Sequence, residues 1–289
     1  MRENAHQTSR HGRITGTLIA GIAAAGLLTG HAEGSILFWD SFEYGDDTAL
    51  MRDNPGGSEW ETTSGVLWYD AETNLTHPGL QAEAGGSFHH DHGSGNRSIN
   101  QTISIDELAA AGPGDEFWLA GLIQLANHDG HSRVQFTASN QNVDDLGFGV
   151  DGTGNVQFFG SIDGGGNTWH DTGETAAADG STYLFLVQAV RGSGTFSDRD
   201  STVNFWFDPE DTSSEAALGA PDFTNSVSKF GRDGVWDAVN ISLSYQSRAD
   251  EIRFGTSLQS VVIPEPASLA LLGLGGLLLV RRRREQERD

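Results

Sequence analysis

The chain has 289 residues and is strongly acidic: 40 Asp and Glu against 17 Lys and Arg give a formal net charge of −23 at pH 7. It contains no cysteine, which excludes disulfides, thiolate metal sites and cysteine nucleophiles. Because an acidic surface repels nucleic acids and anionic lipid faces, we expect no nucleic-acid partner.

The first 32 residues have the composition of a secretory signal peptide. Arg2, Arg10 and Arg13 make a basic start, and residues 14–28 are apolar and rich in Ala and Gly. Small residues up to Ala32 suit signal peptidase, so we expect cleavage after Ala32. Residues 1–32 are therefore predicted to direct export and to be removed by signal peptidase.

Residues 33–260 consist of short runs in which apolar and polar side chains alternate. Residues 240–246 (NISLSYQ) show the alternation clearly, and a period of two is typical of half-buried β-strands. Residues 117–125 and 183–190 are instead apolar at most positions. This pattern predicts central strands that are covered on both faces.

Glycine-rich turns separate these runs. Residues 151–155 (DGTGN) and 163–167 (DGGGN) each join two strand patterns, and Asp-Gly in such a position is typical of a β-hairpin. No Pro-rich linker divides the region. We therefore predict one all-β domain over residues 33–260, built as a two-sheet antiparallel β-sandwich.

Four segments of this region resemble LamG-like, concanavalin A-type jelly rolls. They are residues 37–44 (LFWDSFEY), 183–187 (YLFLV), 201–209 (STVNFWFDP) and 249–256 (ADEIRFGT). The resemblance spans residues 36–258 and implies a concanavalin A-like jelly roll. It also implies binding of glycans or protein partners, sometimes through calcium, although some members of this group cleave glycans.

The carboxylates of the chain do not form the pattern that a glycan-cleaving enzyme needs. Such an enzyme uses two positioned carboxylates, which in the related hydrolases lie in an E-x-D-x-x-E run, and the chain has no such run. Glu59 and Glu61 lack a third carboxylate. Asp250 and Glu251 are adjacent, so we expect their side chains to point to opposite faces of a strand. The G-x-S-x-G motif is also absent, and we expect no enzymatic activity.

Two groups of side chains are candidates for holding a metal ion. Calcium prefers carboxylate and carbonyl oxygens. The oxygen-bearing side chains near the predicted hairpin turns are Asp144, Asp145, Asp151, Asn155 and Asp163. Histidines cluster in residues 89–92 and 128–131 and could bind a transition metal. The alternative for both groups is a polar turn without metal, so calcium is a candidate cofactor and nothing more.

Three tryptophans are candidates for stacking on a sugar ring. Trp169 follows a Gly-rich turn and has His and Asp beside it, Trp206 alternates with the apolar residues of its strand, and Trp68 stands before Tyr and Asp. The alternative for each is packing in the core or on a sheet.

The C-terminal segment, residues 261–289, has three parts. The triplet Pro264, Glu265 and Pro266 is followed by the uncharged residues 267–280 and then by Arg281, Arg282, Arg283 and Arg284. As a helix the uncharged run would be about 21 Å long, short for a hydrocarbon core of about 30 Å, and the arginines should stay cytoplasmic. This order resembles the PEP-CTERM sorting signal of Gram-negative bacteria, which implies that an exosortase cleaves near the triplet.

These patterns predict a protein that is exported across the inner membrane and anchored there, through its C-terminal helix, only until it is processed. We then expect it at the cell surface or outside the cell, as a non-catalytic module that binds extracellular polysaccharide or another partner. Two alternatives stay open: a glycan-active hydrolase or lyase of jelly-roll fold, and a structural surface protein without a small ligand. Carboxylates that converge in a groove would indicate the enzyme.

Overall fold

The computed structural model describes most of the region predicted to fold. The described residues are 34–40, 42, 60–64, 68–70, 73–81, 86–90, 96–105, 111–137, 145–160, 168–193, 201–227 and 236–262. The predicted signal peptide and residues 263–289 of the sorting segment lie outside them. Within the described ranges, no helix is long and apolar enough to cross a membrane.

Strands make up almost all of the regular structure. In chain order they are β1 (Ile36–Asp40), β2 (Trp60–Ser64), β3 (Trp68–Asp70), β4 (Ser87–His89), β5 (Arg97–Ile105), β6 (Glu116–Gln124), β7 (Ser132–Thr137), β8 (Leu146–Val150), β9 (Asn155–Gly160), β10 (Thr168–Thr175), β11 (Thr182–Val190), β12 (Ser201–Phe207), β13 (Phe223–Val227), β14 (Trp236–Leu243) and β15 (Arg248–Gly255). The helices are α1 (Glu215–Leu218) and α2 (Leu258–Val262).

The strands form two antiparallel sheets. Sheet I has the order β13-β12-β11-β6-β15-β4-β3, and β1 also pairs with β15. Sheet II has the order β10-β9-β8-β7-β14-β5-β2. Neighbouring strands are antiparallel in both sheets. The prediction of an all-β, two-sheet antiparallel β-sandwich is confirmed.

The two strands predicted to be apolar on both faces lie in the middle of sheet I. β6 and β11 pair along their full length, from Thr182 opposite Gln124 to Val190 opposite Glu116. Their inner side chains join the central core between the two sheets, and their outer side chains join a second core on the far side of sheet I. Both faces of these strands are therefore dry, which explains the loss of alternation in the sequence.

The predicted hairpin at residues 151–155 joins β8 to β9. The Asp151 backbone N–H donates to the Asn155 carbonyl at 3.0 Å, and the Gly154 N–H donates to the Asp151 carbonyl at 3.2 Å. Gly154 has φ of 90°, a conformation that glycine adopts without steric cost. The other predicted turn, residues 163–167, lies outside the described residues, although β9 and β10 on either side of it do pair.

The second core lies on the outer face of sheet I and is closed by three chain segments distant in sequence. These are residues 73–81, α1 and α2, which contribute Leu75 and Leu80, Leu218, and Leu258, Val261 and Val262 respectively. In α1, the Ser214 side chain accepts a hydrogen bond from the Ala217 N–H and caps the helix. The central strands of sheet I are thus buried on both sides, and both described helices belong to this second core.

A buried ion pair holds α2 against sheet I. The Arg253 Nη2 lies 2.6 Å from the Glu251 Oε2, and both side chains are fully buried. Arg253 also donates to the Val261 carbonyl in α2 at 3.0 Å and to the Gln81 carbonyl at 2.7 Å. The indole N–H of Trp39 donates to the same Glu251 oxygen at 3.2 Å. The predicted domain end at residue 260 falls inside α2, and the helix ends two residues before Pro264.

The expectation that Asp250 and Glu251 point to opposite faces is wrong. A β-bulge between Asp250 and Arg253 breaks the register with β6, and Glu251 has a positive φ of 53°. The bulge adds one residue to β15, so the alternation of side chains is interrupted there. As a result the Asp250 carboxylate accepts from the Leu75 N–H at 2.8 Å, on the same outer side of sheet I where Glu251 meets Arg253.

Candidate functional site: the outer face of sheet II

The outer face of sheet II carries polar side chains because its inner face supplies the central core. Val134, Phe148, Val156 and Ile241 point inward and are fully buried, so the residues between them point outward. Residues that pair directly across antiparallel strands share a face. The register therefore aligns the outward residues in rows that run across the strands.

Each of two such rows crosses six strands. The first row is Asn100 on β5, Asn240 on β14, Gln135 on β7, Gly147 on β8, Phe159 on β9 and Trp169 on β10. The second row is Ser98, Ser242, Arg133, Gly149, Gln157 and Asp171 on the same strands. We call these two rows the platform. With strands about 4.8 Å apart, the platform is about 24 Å long from β10 to β5.

Glycines form a trough in the middle of the platform. A Cβ atom on Gly149 would lie 2.6 Å from the Arg133 Cγ and 2.4 Å from the Ser132 carbonyl oxygen. Only a residue without a side chain leaves room for Arg133 to cross β8 at this point. The alternating glycines of β8 (LGFGV) thus allow a side chain from β7 to reach β9 and β10.

Arg133 links three strands of the platform. Its Nη2 donates to the Gln157 Oε1 at 2.6 Å, and Gln157 in turn donates through Nε2 to the Asp171 Oδ1 at 2.6 Å. The guanidinium carbon lies 4.2 Å from the centroid of the Trp169 ring, a cation–π distance. Burial lowers the pKa of Arg133 below its ordinary value, and the charge of Asp151 opposes this effect. The residue stays charged at neutral pH.

Trp169 occupies the β10 end of the first row. It is half-buried, and its ring lies 4.8 Å from the ring of Phe159, its cross-strand neighbour. A half-exposed indole beside amides, a guanidinium and a carboxylate offers both an apolar surface and hydrogen-bonding groups. The position of Trp169 therefore agrees with its prediction as a ligand-stacking residue, without testing it.

A chain of hydroxyl groups continues the second row toward His131. Ser98 Oγ donates to Ser242 Oγ at 3.0 Å, and Ser242 Oγ lies 3.1 Å from His131 Nε2. The Asn96 Oδ1 accepts from the backbone N–H of His131 at 3.0 Å. Burial, with the added effect of the Arg133 charge, lowers the pKa of His131 to about 4. The imidazole is therefore neutral at pH 7 and serves as a hydrogen-bonding group.

The other two candidate tryptophans are not part of the platform. Trp206 is 6 % exposed and stacks on Trp118, with ring centroids 5.6 Å apart and an interplanar angle of 17°. Segments distant in sequence cover the end of β12 that carries Trp206, so the interpretation of Trp206 as an exposed ligand residue must be corrected. Trp68 lies on β3 of sheet I, opposite His89; its side chain lies outside the described residues.

Two of the five candidate calcium residues, Asp151 and Asn155, form one hydrogen-bonded turn. Asp151 Oδ1 accepts from the backbone N–H groups of Thr153 and Asn155, at 2.7 and 3.0 Å, and Oδ2 accepts from the Asn155 side chain at 3.1 Å. Burial alone would raise the pKa of Asp151, but these hydrogen bonds lower it below its ordinary value. Asp145 is half-buried at the start of β8, and Asp144 and Asp163 lie outside the described residues.

The histidine clusters do not assemble a metal site in the part of the chain that the structure covers. No group of three or more His, Asp or Glu side chains converges there on a common point. His77 Nε2 lies 2.9 Å from the Asp208 Oδ1, and its Nδ1 accepts from the Gly79 N–H at 3.0 Å. His90 is fully buried. The contacts of His77 connect residues 77–79 to Asp208, which directly follows β12.

The sequence predicted Trp169 as a ligand-stacking residue, which stays a prediction, but it did not predict that Arg133 contacts Gln157 and Trp169. Two strands separate Arg133 from Trp169 in sheet II, so no spacing along the chain relates them. One local feature pointed to the site. The glycines alternate with apolar residues in β8, and glycine inside a strand often marks the close approach of another group.

Comparison with known proteins identifies the C-terminal segment. Residues 262–284 match the model of the PEP-CTERM protein-sorting motif. The resemblance found in the sequence is confirmed, and it marks the chain as an exported precursor with a C-terminal membrane anchor that an exosortase processes. No curated protein matches the sequence of the chain.

Several solved structures resemble the chain at low similarity. A carbohydrate-binding module from Bacillus subtilis is 14% identical, with 68% of this chain and 95% of that chain covered and a TM-score of 0.36. A carbohydrate esterase from the Shiga toxin-encoding bacteriophage phi24B is 10% identical, with 78% and 99% covered and a TM-score of 0.43. A glycosyl hydrolase family protein from Mycobacterium fortuitum is 14% identical, with 76% and 99% covered and a TM-score of 0.37. TM-scores in this range do not establish a shared function.

Proposed function

We propose that the exported protein is a non-catalytic cell-surface or extracellular-matrix module that binds polysaccharide along the platform on sheet II. One observation carries this proposal: the strand register brings Trp169, Arg133 and several amide side chains onto the outer face of sheet II, where Trp169 and Arg133 are half-buried and Asp171 is exposed. On sheet I, residues 73–81, α1 and α2 pack over part of the outer face and form a second apolar core with it.

The platform has the properties that a carbohydrate ligand requires. An indole at one end supplies an apolar surface for a sugar ring, and Gln135, Asn240 and Asn100 in the same row supply amide donors and acceptors for hydroxyl groups. The row is about 24 Å long, so an extended chain of sugars can contact several strands at once. These features favour a linear polysaccharide over a single small molecule.

The placement of carboxylates supports a binding role. Glycosidases position two carboxyl groups roughly 5–9.5 Å apart. Among the described residues in line with these rows, the acidic positions are Asp171 on β10 and Glu61 on β2, which pairs with Asn100 of β5 just beyond the end of the first row. They lie at opposite ends of the sheet, more than about 24 Å apart. Asp250 and Glu251 are fully buried under residues 73–81 and α2.

Replacing Trp169 by Ala should abolish most of the polysaccharide binding. The substitution removes the aromatic surface and the partner of the Arg133 guanidinium, and we expect a loss of about tenfold or more in affinity, since a buried aromatic contact contributes about 1.5–3 kcal/mol. The measurement is a binding isotherm of the exported, processed protein against polysaccharides selected on a glycan array.

Two control variants make this result specific. Trp169→Phe keeps an aromatic ring and should retain part of the affinity, and Ser226→Ala, on exposed β13 of sheet I, should retain all of it. The same mixtures report on catalysis, because a glycan-cleaving enzyme would release new chain ends and a binding module would not. Binding that Trp169→Ala leaves unchanged would contradict the proposal, and absence of any binding would favour the purely structural alternative.

A further inference from the structure

We propose that the platform selects acidic polysaccharides, with Arg133 as the residue that binds the carboxylate of a uronic acid unit. This inference rests on the proposed function and names the class of sugar that the same face would take. It starts from one feature of the platform: Arg133 is the cation in the middle of two rows whose other members are amide, hydroxyl, aromatic and glycine residues and, at the β10 edge, the carboxylate of Asp171.

The guanidinium of Arg133 has few partners in the protein. Of its nitrogens, Nη2 donates to the neutral Gln157 Oε1, and Nε is buried without a hydrogen-bond partner among the described residues. The ion pairs found within the described ranges do not include Arg133, although the charge of Asp151 acts on it at longer range. Arg133 is half-buried, and it is costly to remove a charge from water without a paired counter-charge. A carboxylate ligand would supply the missing partner.

One edge of the guanidinium remains available to a ligand. Nη1 donates to no described atom, and it is not among the buried polar atoms that lack partners, so it is open to solvent. Together with the second N–H of Nη2 it presents two parallel donors. Such a pair matches the two oxygens of a carboxylate.

The neighbours of Arg133 fix the direction of this edge. Trp169 lies against the guanidinium at 4.2 Å, Gln157 holds Nη2 at 2.6 Å, and Gly149 leaves the space that the side chain crosses. A preorganised guanidinium loses less conformational entropy when it binds than a free surface arginine does. A sugar that stacks on the indole would carry its carboxylate toward the open edge.

The net charge of the chain acts against an acidic ligand at long range. With a net charge of −23, the protein repels polyanions in dilute buffer. At physiological ionic strength the Debye length is about 8 Å, so distant acidic residues are screened while the direct contact with Arg133 is not. Binding should therefore strengthen as salt is raised from low to physiological concentration, the reverse of ordinary polyanion binding.

Three matched pairs of polymers test the inference. Polygalacturonate, polymannuronate and hyaluronan are each compared with their methyl esters, which keep the backbone and remove the charge. At about 0.15 M salt we expect the exported, processed protein to bind at least one acid form about tenfold or more tightly than its ester. Arg133→Gln should abolish this difference, Arg133→Lys should reduce it, and Arg97→Gln, outside both rows, should leave it unchanged.

The outcomes separate the inference from the proposed function. If the protein binds acid and ester forms equally, or if Arg133→Gln leaves the preference intact, the assignment of Arg133 is overturned while polysaccharide binding stands. If it binds none of the acid forms but binds neutral polysaccharides through Trp169, the acidic ligand class is overturned alone. The ratio of the two affinities is the readout, because a variant that only disturbs the fold weakens both forms together.

Discussion

Replacing Arg253 by Met should lower the free energy of unfolding by about 3–5 kcal/mol, the usual effect of leaving one partner of a buried ion pair without the other. The substitution leaves the Glu251 carboxylate without its charged partner. This carboxylate is fully buried and accepts hydrogen bonds from Arg253 and from the Trp39 indole in the native chain. It also removes the donors that hold the Val261 and Gln81 carbonyls. Urea unfolding of the exported protein measures the change.

A second ion pair gives the matched control for this experiment. Arg248 Nη1 lies 2.7 Å from the Asp70 Oδ2, but both side chains are about one-fifth exposed. Because water screens a pair that is partly exposed, Arg248→Met should cost about 1 kcal/mol or less. Equal losses for Arg253→Met and Arg248→Met would show that burial of the Arg253–Glu251 pair does not hold α2 in place. Adding Glu251→Gln to Arg253→Met should recover part of the loss.

The folded protein should lose stability steadily as the pH rises from about 4 to 9 because of Asp250. Burial raises the pKa of Asp250 to about 9 in the folded chain, against 3.8 for the ordinary side chain, although the hydrogen bond from the Leu75 N–H opposes the shift. Between these values the folded state binds a proton that the unfolded state releases. The free energy of unfolding therefore falls with rising pH, by up to about 1.4 kcal/mol per pH unit from this one group.

The variant Asp250→Asn isolates this effect. It cannot titrate, so its free energy of unfolding should depend less steeply on pH than that of the native chain over the same range. Its absolute stability also changes, because an amide has only one oxygen to accept the two backbone N–H groups of Leu75 and Glu251. Asp179→Asn, at an exposed position, serves as the control and should keep the native slope. Equal slopes for Asp250→Asn and the native chain would contradict the account.

Local patterns predicted the parts of the fold that depend on neighbouring residues. The β8–β9 hairpin follows from Asp151 and Gly154, whose side-chain hydrogen bonds and positive φ act within five residues. The central position of β6 and β11 follows from the apolar side chains that predominate on both of their faces. In both cases the physical cause lies inside the segment itself.

Contacts between distant segments decided the rest. Trp206 lies in a strand that alternates regularly, yet it is buried because residues 73–81, α1 and α2 pack in the same core on the outer face of sheet I. The bulge at Glu251 places two adjacent carboxylates on one side of β15. The sequence of residues 250–251 does not predict this bulge. The meeting of Arg133 with Trp169 depends on three strand pairings in succession, which no spacing along the chain encodes.

The two sheets therefore have different roles. The outer face of sheet I carries the second core, and its last strand holds α2, whose final residue is also the first residue of the sorting motif. The outer face of sheet II carries the polar rows. The folded body thus precedes the sorting motif directly in the sequence, and the polar rows of sheet II are the surface on which we propose that a ligand binds.

Chemical-shift mapping on the exported, processed protein tests the platform most directly. An oligosaccharide selected by binding is added, and the backbone, indole and guanidinium signals are followed during the titration. The account predicts that the largest changes fall on β7, β9, β10 and β14, with the Trp169 indole and the Arg133 guanidinium among them. Changes confined to sheet I or to the strand-connecting loops, with Trp169 and Arg133 unaffected, would contradict it.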